Sequence, residues 1–129
     1  MSSSIIVTVV ESPFFPDFSD LYQHKGLLES RVDSIRKAIS LIKKQPAAYI
    51  VVEFFYAYST NYSGIYKSNI EVLLVSLRKY SPNTKVIVLS KKSEIKFINV
   101  LEAVDYPLHG VLQLPVTSLA PMEELLNIK

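Results

Sequence analysis

Four short runs of apolar residues predict buried β-strands. Each run is rich in Val, Ile or Leu and lacks the three-to-four-residue period of a helix, which is typical of strands covered on both faces. The runs are residues 5–10, 49–54, 85–89 and 110–114.

Helical periodicity fills the segments between these runs. Val32, Ile35, Ile39 and Ile42 recur at helical spacing and predict a helix over residues 29–44. Further helices are predicted over residues 70–80, 95–104 and 121–127, and loops over residues 13–20 and 56–68. Apolar strands that alternate with helical crossovers predict a three-layer α/β sandwich of flavodoxin-like topology, with a parallel sheet of four to five strands.

Length and charge limit the possible partners. The 129 residues fit one domain spanning residues 1–129, and the hydrophobic content of 49% is typical of a globular protein. The formal net charge is only +2, and the basic residues are scattered, which argues against nucleic acid as a partner. Residues 5–10 are too short to span a bilayer, so we expect no membrane partner and a cytoplasmic location.

Several kinds of site are excluded by residue counts. The chain has no cysteine, which rules out thiol catalysis, cysteine-ligated zinc and disulfides. Its three glycines, Gly26, Gly64 and Gly110, lie too far apart for a glycine-rich nucleotide-binding loop. His24 and His109 have no ligand spacing, and structural or surface roles are favoured for both.

Three segments, taken in order, resemble response-regulator receiver domains of the chemotaxis type. Residues 35–53 (IRKAISLIKKQPAAYIVVE) are similar to the helix, proline turn and strand that carries the phosphoacceptor of that family. Residues 76–90 (SLRKYSPNTKVIVLS) are similar to its third helix and fourth strand, and residues 110–115 (GVLQLP) to its last strand. The resemblance implies a site at the carboxyl ends of the strands, where an Asp accepts a phosphoryl group. It also implies an acidic pair that holds Mg²⁺, a Ser or Thr, and a Lys.

The chain departs from that pattern at most of these positions. Glu53 stands at the phosphoacceptor position, and the acidic pair is reduced to Glu11 followed by Ser12. Ser90 matches the hydroxyl position, but Leu114 fills the Lys position. Because phosphoryl transfer depends on positioning and charge neutralisation, these changes predict a degenerate, non-phosphorylatable pseudo-receiver with no catalysis, metal or cofactor.

Glu53 itself has two possible roles. A carboxylate at this position is either a constitutive mimic of the phosphorylated acid or a strand-end residue bonded to Ser90 or Lys91.

The resemblance also indicates a reduced architecture. Only 20 residues separate Glu11 from Val32, where a receiver has a complete helix and strand. We expect this first helix-strand unit to be missing, or replaced by an extension of the long helix. Since the last helix is also short, one apolar face of the sheet is expected to be bare and to bind a second copy of the chain or a partner helix.

An aromatic segment follows the strand that ends at Glu53. Tyr56, Tyr58, Tyr62 and Tyr66 form either a protein interface, loop packing or a small aromatic ligand site.

The leading hypothesis is a protein-interaction or signalling module, acting as a dimer or with another protein. The alternatives are a small-ligand or metal-binding, enzyme-like domain that uses a cleft of Glu11, Glu53 and Ser90, and a structural subunit of a larger complex.

Overall fold

A five-stranded parallel sheet forms the centre of the computed structural model, which describes residues 4–13, 15–56 and 68–126. The strands are β1 (Ser4–Val9), β2 (Leu27–Val32), β3 (Tyr49–Glu53), β4 (Lys85–Lys91) and β5 (Gly110–Leu114). Their order across the sheet is β2-β1-β3-β4-β5, and every neighbouring pair is parallel. The predicted flavodoxin-like α/β fold is confirmed.

Helices cover both faces of this sheet. They are α1 (Ser19–His24), α2 (Ile35–Lys44), α3 (Glu71–Tyr80), the 3₁₀ helix η1 (Ile95–Val104) and α4 (Ala120–Leu125). The buried side chains of α2, α3 and η1 belong to one hydrophobic cluster, and those of α1 and α4 belong to a second cluster on the opposite face. None of the described helices has the length and apolar character needed to cross a membrane.

The predicted helix over residues 29–44 is wrong in its first part. Its beginning is β2, an edge strand that pairs with β1 from Ser4 opposite Leu27 to Val9 opposite Val32. The helix starts after Ser34, whose Oγ accepts a hydrogen bond from the Lys37 backbone N–H at 3.2 Å. Gly26 lies between α1 and β2 with φ of +76°, a conformation that favours glycine. The first helix-strand unit is therefore present, with six residues in each element.

The expectation of a bare sheet face is also wrong for the described residues. Ile6, Val51, Ile87 and Leu89 on this face are fully buried. Large side chains compensate for the short helices, and those that cover the face are Phe15, Phe18, Leu21, Tyr22, Met122 and Leu126. The described residues therefore bury a hydrophobic core on each face of the sheet.

Met122 tests whether α4 covers the sheet as described. Its side chain is fully buried, so we expect Met122→Ala to lower the free energy of unfolding by about 2 to 5 kcal/mol, through lost burial and a cavity. Urea denaturation measures this change. Leu119→Ala is the control, because Leu119 is 53% exposed and its truncation should change stability by less than about 0.5 kcal/mol. Equal effects of the two substitutions would contradict the packing of α4.

Candidate functional site

Glu53 lies at the centre of the carboxyl edge of the sheet and is completely buried. It is the last residue of β3 and pairs with Leu89 of β4. Ser12, just beyond β1, donates its Oγ hydrogen to Glu53 Oε1 at 2.8 Å. The second carboxylate oxygen, Oε2, has no hydrogen-bond partner within the described residues. Two of the predicted site residues are thus brought into direct contact.

Asn69 connects three parts of this edge, although no pattern in the sequence pointed to it. Its Oδ1 accepts a hydrogen bond from the Phe55 backbone N–H at 2.8 Å. Its Nδ2 donates to the Glu53 backbone carbonyl at 2.7 Å and to Glu11 Oε1 at 3.2 Å. An Asn just before a predicted helix usually suggests a helix cap. Here its amide instead links the ends of β1 and β3.

The start of α3 is held in place by a second carboxylate. Glu71 Oε1 accepts hydrogen bonds from the Ser68 backbone N–H at 2.6 Å and from the Ser68 Oγ at 2.7 Å. Glu71 is itself buried. This local closure fixes Asn69, which lies between the two residues in sequence, and it commits the Glu71 carboxylate to a structural role.

Glu11 experiences an unfavourable environment for its charge. Burial raises the pKa of its carboxyl group above the ordinary 4.5, and the nearby Glu53 carboxylate adds to the rise, whereas the Asn69 hydrogen bond opposes it. The two predicted acidic residues are therefore close enough to interact electrostatically. A bound cation would reduce the electrostatic repulsion between the two carboxylates.

Ser90 and Leu114 make other contacts than the resemblance implies. Ser90 is buried, but its Oγ donates to the Lys91 carbonyl at 3.1 Å. The predicted bond from Glu53 to Ser90 or Lys91 is wrong within the described residues, since Ser12 takes that place. Leu114 packs into the hydrophobic cluster under α1 and α4. The position at which the resemblance implies a Lys is therefore apolar and part of the core.

Metal ligands are sparse at this edge. Among residues 4–13, 15–56 and 68–126 there is no group of three or more His, Asp or Glu side chains able to hold a metal ion.

Tyr56 is the one residue of the tyrosine segment that the structure describes. Its ring is half-buried and stacks on Phe97 of η1, with ring centroids 4.1 Å apart and an interplanar angle of 13°. Its backbone N–H donates to Glu94 Oε1 at 3.1 Å. These contacts are loop packing onto η1. Tyr58, Tyr62 and Tyr66 lie outside the described residues.

Removing the Asn69 amide should loosen the whole edge. Asn69→Ala loses three hydrogen bonds, so we expect the free energy of unfolding to fall by about 2 to 4 kcal/mol in urea denaturation. Asn83→Ala, at an exposed turn, is the matched control and should be nearly neutral. A neutral Asn69→Ala would mean that the amide does not join β1 to β3.

Glu11 predicts a specific pH dependence of stability. Because its pKa is raised by folding, its contribution is fully present below about pH 4.5 and is lost as the pH rises through the higher folded-state value. Glu11→Gln keeps the acceptor for Asn69 without the charge, so the variant should be the more stable protein at pH 7. Its advantage should disappear below about pH 4, as measured by urea denaturation across pH. An advantage that is absent at pH 7 or grows towards low pH would contradict a raised pKa for Glu11.

Several solved structures with a similar fold are response-regulator proteins. A receiver domain protein from Clostridium thermocellum superposes with a TM-score of 0.69 at 14% identity, covering 96% of this chain and 91% of that one. A LuxR-family DNA-binding response regulator from Staphylococcus aureus gives 0.67 at 15% identity, covering 96% of both chains. An adenylate cyclase from Rhodopirellula baltica gives 0.64 at 19% identity, covering 98% of this chain and 86% of that one. No protein family and no curated protein matches the sequence. At these identities the likeness establishes the fold, and the chain has the receiver fold.

Proposed function

We propose that this chain is a single receiver-like domain that is not phosphorylated and that signals by binding other proteins. The observation that carries the proposal is the environment of Glu53. The carboxylate at the acceptor position is completely buried and already accepts a hydrogen bond from Ser12 at 2.8 Å.

Phosphorylation would require chemistry that this edge supplies poorly. A carboxylate oxygen of residue 53 would have to form a bond to phosphorus while the bond from phosphorus to the leaving group breaks. The developing charge needs a metal ion and a cation beside the transferred oxygens. Leu114 instead contributes an apolar side chain to the core, and Ser12 replaces the second acid. These two substitutions remove the electrostatic stabilisation on which such a transfer depends.

Glu53 in this proposal is a structural group. A mimic of the phosphorylated acid would be expected to engage Ser90, whose Oγ is directed to the Lys91 carbonyl. The bonds from Ser12 and Asn69 hold the Glu53 side chain and backbone in one arrangement. The domain then presents a fixed surface to its partners.

One observation favours the rival hypothesis of a ligand or metal site. Glu53 Oε2 is buried and has no partner within the described residues, and a buried carboxylate oxygen without a partner is energetically costly. A cation between Glu53 and Glu11 would satisfy it. The rival is tested together with the main proposal.

Incubation with acetyl phosphate and Mg²⁺ tests the proposal. We expect intact-mass spectrometry to detect no phosphorylated species for the wild type or for Glu53→Asp, because the second acid and the Lys are still absent. Ser12→Asp/Glu53→Asp/Leu114→Lys restores all three groups and is the matched gain-of-function variant, in which labelling is expected. The Lys introduced at a core position can destabilise this variant, so its folding is checked first by circular dichroism.

Two results would contradict the proposal. Labelling of the wild type that is lost in Glu53→Gln would establish a phosphoacceptor. Saturable Mn²⁺ binding by calorimetry that is lost in Glu53→Gln would establish the rival, a cation site at this edge.

A further inference from the structure

An open groove of about 600 Å³ lies between α2 and α3. Arg36, Ile39 and Lys43 of α2 line one side, and Val72 of α3 lies on the other. Glu11 of the site described above lies at its edge. The groove is therefore adjacent to the candidate site, although its lining differs in character.

The α3 side of the groove and the helix surface beside it expose apolar side chains. Val72 and Val75 are 39% and 43% exposed, whereas Leu73, Leu74 and Leu77 of the same helix are fully buried. Residues three apart on a helix are neighbours on its surface, so the two valines form one outward stripe. Together with the half-buried Ile39 across the groove, they offer a small apolar contact area.

The two helices that border the groove are rich in positive charge. The two helices carry six of the chain's 14 basic residues, although the net charge of the whole chain is only +2. The six are Arg36, Lys37, Lys43, Lys44, Arg78 and Lys79. Their one acidic residue, Glu71, is buried and holds Ser68. Just before α2, the Asp33 carboxylate forms an ion pair with Lys37, with Oδ1 2.8 Å from Nζ.

Two of these cations, one from each helix, converge beside the groove. Lys43 of α2 and Lys79 of α3 each place Nζ 5.2 Å from the centre of the Tyr80 ring. Both positive charges are thus held around one ring by cation–π attraction, at the same end of the helix pair. A ligand lying along the groove would meet Val72, Ile39 and Lys43, with the charge of Lys79 close to that of Lys43.

We propose that this groove docks an acidic amphipathic segment of a separate protein. The proposal rests on the interaction role given above and names the surface and the chemistry of the partner. Charge complementarity supplies the reason, since carboxylates flanking short apolar side chains would match the lysines and valines. The residues outside the described ranges contain no Asp or Glu, so those parts of the chain do not supply such a segment.

Other classes of partner fit the groove less well. Single-stranded nucleic acid is bound by stacking bases on aromatic rings, whereas the centre of this groove is lined by valine and isoleucine. Membrane-surface helices insert bulky Leu, Phe or Trp side chains from a convex face. Here the exposed apolar side chains are short and border a concave surface.

Binding of a ligand in the groove should change the environment of the residues near Glu53. Glu11 lines the groove and accepts the Asn69 Nδ2 hydrogen bond at 3.2 Å, and Asn69 in turn binds the Glu53 carbonyl. The Asn69 side-chain amide is therefore a natural reporter of docking.

The test is an NMR titration of the isotope-labelled full chain with a designed peptide. The probe is a capped helix of roughly four turns with Leu and Ala on one face and Glu on both flanks. We expect saturable shifts of the Val72 and Val75 methyl groups and of the Asn69 side-chain amide. Lys43→Glu/Lys79→Glu should weaken binding about tenfold or more, since both exposed charges are reversed. Lys92→Glu/Lys96→Glu, the same double reversal at two other exposed sites, should leave the affinity nearly unchanged.

Several outcomes would overturn the inference. They are the absence of saturable shifts at the groove, equal binding of a peptide with the same residues in scrambled order, and an affinity that the double reversal does not alter. Tighter binding of anionic vesicles or of an oligonucleotide at the same residues would assign the groove to another class of partner. Self-association in light scattering that Lys43→Glu/Lys79→Glu abolishes would assign it to a second copy. The acetyl phosphate experiment does not depend on this titration. A negative titration would therefore overturn the docking proposal without affecting the proposed lack of phosphorylation.

Discussion

A carboxylate buried at the end of the central strand imposes the main constraint on this molecule. Moving Glu53 out of water is costly unless its oxygens and the surrounding backbone are hydrogen-bonded. Ser12 supplies one bond to the side chain, and Asn69 supplies one to the backbone carbonyl. These two donors come from the segments that follow β1 and precede α3, so their bonds to Glu53 also fix how those segments meet the sheet.

The same constraint accounts for polar groups at this edge whether or not they take part in a reaction. In such a sheet the strand ends gather polar groups regardless of whether they react, because the backbone there leaves the ladder and needs partners. Asn69 and Ser12 are neutral hydrogen-bond donors that stabilise a fixed carboxylate. Leu114, by contrast, extends the core beneath α1 and α4 up to the edge of the sheet. Under the proposed function, this edge of the sheet serves packing and hydrogen bonding rather than phosphoryl transfer.

How far the sequence predicts this structure differs between the sheet centre and its margin. The buried strands β3 and β4 are short, continuous apolar runs rich in β-branched residues, and their ends placed Glu53 and Ser90 correctly at one edge. The edge strand β2 has Glu29, Ser30 and Arg31 in its middle, and Val32 happens to continue the helical spacing of α2. Its strand identity comes from pairing with β1, which a local pattern does not contain. The role of Asn69 was not predictable for a similar reason, since its three partners are distant in sequence or lie across a loop.

The sheet face under α1 and α4 is covered, so it is not available as a binding surface. A bare apolar face would have made self-association the simplest use of the fold, but Phe15, Phe18 and Met122 close it. Exposed apolar side chains that lie beside positive charge remain on the outer side of α3, next to α2. Val72 and Val75 are not part of the core, because Leu73, Leu74 and Leu77 already fill the buried face of α3. A surface that combines exposed valines with cations from two helices has no role in the core, and binding an acidic, partly apolar segment is the use that its chemistry fits.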